Sequence, residues 1–281
     1  MSSQLLGATR PTRRRPGRRW SAATWASLAV LGVALLWALL PGLFTNHDPI
    51  TSNQPALLAP SAQNWFGTDA VGRDLFARVV HGARQSLAGA LVAVAVGVVF
   101  GTLLGVLAGA RGGWLDTLLM RLVDVLLAIP ALLLSLSVII VLGFGTINAA
   151  IAVGITTIAM FARLVRSQVL GVAGSDYVEA AHGSGAGQLQ VLVGHILPNS
   201  LTPVLAMAAL QFGNAVLQLS TLGFLGYGAP PPTPEWGVLI ADSRDYLATA
   251  WWLTVLPGVV VILVVLATNH LSHVIQQETE R

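Results

Sequence analysis

Between Leu87 and Ala110 the chain carries no charged residue, a run long enough as a helix to cross the roughly 30 Å of hydrocarbon in a bilayer. Hydrocarbon offers no water to backbone N–H and C=O groups, so such a run must form a helix or part of a closed barrel. Glycines stand at 89, 97, 101, 105 and 109 in this run. The spacing of four from Gly97 to Gly109 puts those glycines on one helical face, where a neighbouring helix can approach closely. Comparable apolar stretches occur at Thr24–Phe44, Thr117–Phe144, Ile147–Leu164, Leu201–Phe224 and Ala248–Ala267. The expected fold is all-α, a polytopic membrane protein with six transmembrane helices. Only 10% of the residues are charged and 54% are hydrophobic, against about 25% charged in a soluble domain.

Two absences narrow the chemistry. The chain has no cysteine, which removes disulfides, thiolate metal sites and a cysteine nucleophile. It has no lysine either, since all fifteen basic residues are arginine. A Walker A phosphate loop and a Schiff base both need that lysine. Any ATP used must therefore be bound by a different chain.

One long polar stretch, Asp176–Asn199, interrupts the apolar runs. It holds Asp176, Glu179, His182, Gln188, Gln190 and His195, a set that a bilayer does not accept without partners. Glu179–Ala180–Ala181 reads as helix, Gly183, Gly185 and Gly187 loosen the backbone, and Leu189–Ile196 resumes helix with Pro198 opening a further one. The pattern is a docking element lying in water or against another protein.

The rest follows in order. Residues 1–20 form a basic tail with six arginines, read as a positive-inside anchor. No aromatic interleaving supports nucleic-acid binding. Arg18–Arg19 precede an apolar run as in an export signal, but that run is long enough to span and no small-residue cleavage site follows it. Asn46–Arg84 is a polar connection whose second half reads as an amphipathic surface helix, with Asp74 and Arg78 spaced to pair. Arg121 and Asp124 are three apart and are expected to neutralise each other near a membrane boundary. Gln211, Asn214, Gln218 and Thr221 fall on one helical face at bilayer depth, either lining an aqueous path or bonding a partner helix. Residues 226–237 are proline-rich and extended. Asp69, Asp74 and His81 have no spacing for a metal or an acid–base pair, so neither a catalytic nor a metal site is expected.

Arginine bias orients the six spans. With the N-terminus inside, ten of the fifteen arginines face the cytoplasm and four face out, which favours cytoplasmic termini and a cytoplasmic Asp176–Asn199.

The polar stretch also carries a resemblance. Glu179-Ala180-Ala181, then Gly185, then His195-Ile196-Leu197-Pro198 resembles the EAA loop of bacterial importer permeases driven by ATP-binding-cassette subunits. NHDP at 46–49, WFGTDAVGRDLFARVVHGARQSL at 65–87, DTLLMRLVDVLLAIPALLL at 116–134 and LGFLGYGAPPPTPEWG at 222–237 are similar to the dipeptide/oligopeptide/nickel permeases. The long first loop and PPPTPEWG point to the second, C-type subunit of the permease pair.

The resemblance implies a type I (MetI-like) importer-permease architecture in a bacterial inner membrane. It implies ATPase coupling through Glu179, Ala180, Ala181, Gly185, His195, Leu197 and Pro198, and places ATP and Mg on two partner ATPase subunits, with no cofactor on this chain. It further implies a second permease, a peptide path between the two, and a solute-binding protein met by the outer loops, with Trp65, Asp69, Arg73, Glu235 and Trp236 as expected contacts. Nickel or glutathione is an alternative cargo, and a stand-alone secondary transporter or channel an alternative function. The chain departs from the family at His182, Gly183 and Ser184, which stand where an arginine-bearing stretch is common, and at its tail. The expected organisation is a basic tail (1–20), a first span (21–45), an outer loop (46–84), a five-helix core (85–272) including the coupling loop (170–198), and a cytoplasmic tail (273–281).

Overall fold

The computed structural model describes residues 21–279 apart from 53 and 201. Expectations that fall on residues 1–20 and 280–281, including the basic tail, lie outside the described residues.

Eleven α-helical segments follow one another among the described residues. Helix α1 is Ala22–Leu39, begun by Ser21, whose hydroxyl accepts the Thr24 amide at 3.2 Å. Helix α2 runs unbroken from Leu75 to Arg111. It starts where Asp74 accepts the Ala77 amide at 2.7 Å, satisfying one of the amides left free at a helix start. The expected surface helix is therefore not separate from the second span; at about 1.5 Å per residue a single rod of about 55 Å carries both. Asp74 and Arg78 do not pair as expected. Capping takes one carboxylate oxygen of Asp74, and Asn64 at 3.0 Å and His47 at 3.3 Å take the other.

The expected third span is broken. Gly113–Ala128 (α3) and Ala131–Leu142 (α4) meet at Pro130 and diverge by 98°. Pro130 lacks the N–H that would continue α3, and it forces Ile129 into extended backbone (ψ 129°). Five helices are long and apolar enough to cross a membrane, and the bent pair raises this to six if it counts as one span. Arg121 and Asp124 do not neutralise each other. Asp124 instead accepts from Arg163 at 2.6 Å, and Asp116 is held by Arg166 at 2.5 and 2.6 Å. Both ion pairs tie α3 to helix α5 (Thr146–Ala173).

The pairing of α2 with α5 is the most extensive helix contact in the fold. A Cβ at Gly101 would overlap Phe161 and lie 2.8 Å from the Ile158 carbonyl oxygen; one at Gly105 would lie 2.6 Å from the Ala162 carbonyl oxygen. Gly154 of α5 answers from the other side, where a Cβ would lie 2.7 Å from Val96. The glycine face read from the sequence is thus the seam along which the two backbones meet. Close packing of this kind associates helices where lipid removes the hydrophobic drive.

Beyond α5 come α6 (Asp176–Gly183) and α7 (Gln188–Val191), a π turn over Leu192–Ile196, and α8 (Leu197–Ser200). The π turn precedes Pro198, which cannot donate to the carbonyl four residues back. Helix α9 (Thr202–Phe224), the short α10 (Trp236–Ser243) and α11 (Trp252–Thr279) complete the chain. Helix α11 packs on α9 and α1.

Candidate functional site

Three groups of residues bear on function, at the end of α5, in the middle of α9 and around the start of α2.

At the end of α5 the polar stretch folds back as a knob. Val178 (1% exposed), Val191 and Ile196 join Phe161, Val165 and Val169 of α5 in one apolar cluster. Ala181, three residues after Val178, turns to the same side. Glu179 and Ala180 are exposed, as are Tyr177, Leu189 and Val193. One face of α6 is therefore anchored to α5, while the other presents a carboxylate, a small side chain and apolar groups to the surroundings. Gly185, at φ +86°, makes the bend between α6 and α7 in a left-handed conformation that a side chain opposes. His195 and Leu197 are half-buried and Pro198 is exposed. The seven residues expected in the coupling element thus lie on one α6–α8 unit.

On α9 the four polar residues do share a face, but they divide in their bonding. Gln211 is 4% exposed, donates to Met160 Sδ of α5 at 2.9 Å, and accepts from Asn214 at 2.7 Å. These two residues serve helix packing. Thr221 donates to its own helix at Leu217 O, 2.9 Å away. Gln218 differs, because its buried Oε1 has no hydrogen-bond partner among the described residues. Gln211 is thus spent on helix packing, whereas Gln218 keeps an acceptor that no described residue uses.

Around the start of α2, segment 46–74 and residues 226–246 fold into a cap. Trp65 is 63% exposed and its ring packs on Phe76 at 5.0 Å. Asp69 accepts from Arg73 at 2.7 Å. Glu235 and Trp236 correct the expectation of a surface contact. Trp236 is wholly buried, donating its indole N–H to Val79 O at 2.9 Å and its backbone N–H to Ser86 Oγ at 3.2 Å. Glu235 is 2% exposed and accepts the Ala229 amide at 3.1 Å. Trp236 locks the cap to α2 and Glu235 is enclosed against Gly223 of α9 and Gly228 of its own loop, so neither side chain reaches a docked protein.

Burial raises the Glu235 carboxyl pKa to about 7. The folded chain therefore holds a proton between about pH 4.5 and 7 that the unfolded chain has released. The corresponding stability is full below the unfolded pKa and is lost as pH rises through 7. With roughly 1.4 kcal/mol per pKa unit, the loss is about 3 kcal/mol. Glu235→Gln, which keeps the shape and an acceptor oxygen, is expected to raise the melting temperature at pH 8 and leave it unchanged at pH 4. A lower melting temperature at pH 8 would show that the carboxylate is stabilised in place.

Sequence reading missed Arg78. Its side chain is 2% exposed and donates through one terminal nitrogen to Pro49 O at 3.0 Å and Pro232 O at 3.4 Å. Its Nε lies 3.6 Å from Asp69 and has no hydrogen-bond partner among the described residues. The signal was present: Arg78 directly precedes two valines on a helical side otherwise occupied by Leu75, Val79 and Ala83. The inter-helix pairs of Asp116 with Arg166 and of Asp124 with Arg163 had no such signal, because they join residues 50 and 39 apart.

Residues 101–281 match the family described as "Binding-protein-dependent transport system inner membrane component". The chain is 41% identical over 86% of its length to the dipeptide transport system permease protein DppC of Alkalihalophilus pseudofirmus, covering 82% of that protein. It is 41% identical over 89% of its length to the probable D,D-dipeptide transport system permease protein DdpC of Escherichia coli, covering 84%. It is 45% identical over 76% of its length to the glutathione transport system permease protein GsiD of Shigella flexneri, covering 70%. Among solved structures it resembles the MetNI methionine ABC transporter in inward-facing form, with TM-score 0.55 and 21% identity over 72% of this chain and 97% of that one. An amino acid ABC transporter crystallised with histidines gives TM-score 0.56 at 14% identity, covering 72% and 94%.

Proposed function

Because this chain belongs to the family of binding-protein-dependent transport system inner membrane components, we propose that it works as one permease of an ATP-driven peptide importer, coupled to separate ATPase chains through α6. It is a multi-pass membrane protein and a transport subunit. The observation that carries the coupling role is the two-sidedness of α6, anchored to α5 by Val178 and Ala181 with Glu179 and Ala180 left outward.

In this reading a cleft of a cytoplasmic ATPase receives α6, and ATP with Mg is bound there. The alanine allows close approach, Glu179 meets a basic group, and Gly185 sets the angle between α6 and α7. Movement of α6 passes to α5 through the shared apolar cluster, and from α5 to α2 along the glycine seam. The N- and C-termini lie in the cytoplasm, as the arginine bias suggests. A second permease completes the path, and a solute-binding protein delivers cargo to the cap, meeting Trp65, Asp69 and Arg73. Di- and oligopeptides are the cargo class, supported by the names of the relatives above. Glutathione, itself a tripeptide, is a second reading, favoured by the 45% identity to a glutathione permease.

The test is uptake of labelled dialanine into proteoliposomes holding both permeases and the ATPases, with a solute-binding protein outside. Uptake is expected only with internal ATP. Uptake without ATP, or competition by glutathione alone, would overturn the peptide-importer reading or redirect its cargo.

A further inference from the structure

Arg78 is buried where two loops distant in the chain converge on the start of α2. Its donors reach Pro49, 29 residues before it, and Pro232, 154 residues after it. Asp69, in the same loop as Pro49, lies 3.6 Å from its Nε and also holds Arg73 at 2.7 Å. Beneath it a cavity of about 40 Å³ is lined by Asp69, Arg73, Arg78, Asp242, Ser243 and Tyr246 among others. This is room for a water or two, which would satisfy the Nε left unpartnered by the described residues.

A buried guanidinium with this geometry is expensive to desolvate. Leucine or methionine at the same helical position would fill space without that cost, but neither could hold two carbonyl oxygens from distant loops. The planar fork can, because its donors have fixed directions. Both segments carry exposed groups: Trp65 is 63% exposed and Ile50 50% in the first, and Asp245 is 82% exposed in the second.

We propose that Arg78 is a positioning residue that fixes the spacing of segments 46–74 and 228–246, so that both together form one docking platform for the solute-binding protein. The residue touches neither partner nor cargo. It acts through the two loops it holds, and its position on α2 ties the platform to the helix that forms the glycine seam with α5. This rests on the reading that the cap receives a binding protein.

The experiment uses the reconstituted complex of both permeases and the ATPases, with a solute-binding protein loaded with dialanine. The chain has no cysteine, so spin labels at Ile50→Cys and Asp245→Cys report the loop spacing directly. With Arg78 in place, a single narrow distance is expected. With Arg78→Gln the distribution broadens, and the binding-protein concentration for half-maximal ATPase stimulation rises about tenfold, with basal and maximal ATPase rates unchanged. Arg78→Lys, which keeps the charge and three rotatable donors on one nitrogen but lacks the planar fork, gives an intermediate shift. Arg84→Gln, an exposed change six residues on along α2, shifts nothing. An unchanged label distance in Arg78→Gln, an unchanged half-saturation, or a fall in maximal rate alone would overturn the proposal. If the unaltered complex is not stimulated by the loaded binding protein, the importer reading fails instead, while the label distances still decide whether Arg78 sets the spacing.

Discussion

Gly101→Leu is expected to abolish assembly of the chain with its partners and to remove it from the membrane of expressing cells. A side chain at 101 would enter Phe161 and the backbone of α5, with the Ile158 carbonyl oxygen 2.8 Å from its first carbon. No rotamer change relieves an overlap with backbone, so α5 must move away. Overpacking typically costs about 1–3 kcal/mol where side chains can shift, and a displaced backbone seam should exceed about 3 kcal/mol. The effect reaches further than Gly101, because α5 carries α6 at its C-terminal end and both ion pairs to α3. Gly32→Leu is the control. Gly32 lies within α1, and a side chain there would meet nothing within 4 Å, so this variant should accumulate at the normal level. Quantifying both variants in membranes by immunoblot checks the prediction.

The second large effect is loss of coupling without loss of insertion. Deleting Glu179–Ala181 removes most of a helical turn from α6 and rotates whatever remains outward. Gly185→Asp places a side chain at φ +86°, a conformation that aspartate enters less freely than glycine, and adds a negative charge to a knob whose outward face already carries Glu179. Each change should reduce uptake at least a hundredfold, while the chain inserts and pairs with the second permease as before. Co-purification of the ATPases and substrate-stimulated ATP hydrolysis provide the readout. Normal stimulation in either variant would show that the knob is not the lever.

Much of this architecture was legible because it follows from local rules. Long uncharged runs in lipid form helices unless they close a barrel, glycine every fourth residue makes a face, and the polar stretch had to leave the bilayer. The glycine face at 97–109 became the α2–α5 seam, and the predicted helix, bend and second helix at 176–199 became α6–α8. Where reading went astray, the deciding partner was distant in the chain. Asp124 lay three residues from Arg121, yet α5 brought Arg163 to it. Asp74 was spaced to pair with Arg78, yet a helix start needs a cap more than a surface ion pair, and Arg78 was claimed by two loops. The resemblance makes Glu235 and Trp236 expected contacts of a binding protein, but it speaks to a loop and not to each side chain in it. The burial of Trp236 depends on Ser86 and Val79, some 150 residues earlier, which no local pattern reveals, while Glu235 is enclosed by Ala229, Gly223 and Gly228.

The central claim is that the outward face of α6 sits in an ATPase. With no cysteine in the chain, Ala180→Cys offers a single reactive position on that face, and Trp65→Cys a single position on the cap. A short thiol cross-linker applied to the assembled transporter, with one cysteine introduced on the ATPase cleft, decides the matter. The expected result is a product joining position 180 to the ATPase, sensitive to added nucleotide, and none from position 65. Failure of position 180 to join the ATPase, with labelling of that cysteine by an impermeant reagent from outside intact cells, would contradict both the coupling role and the orientation.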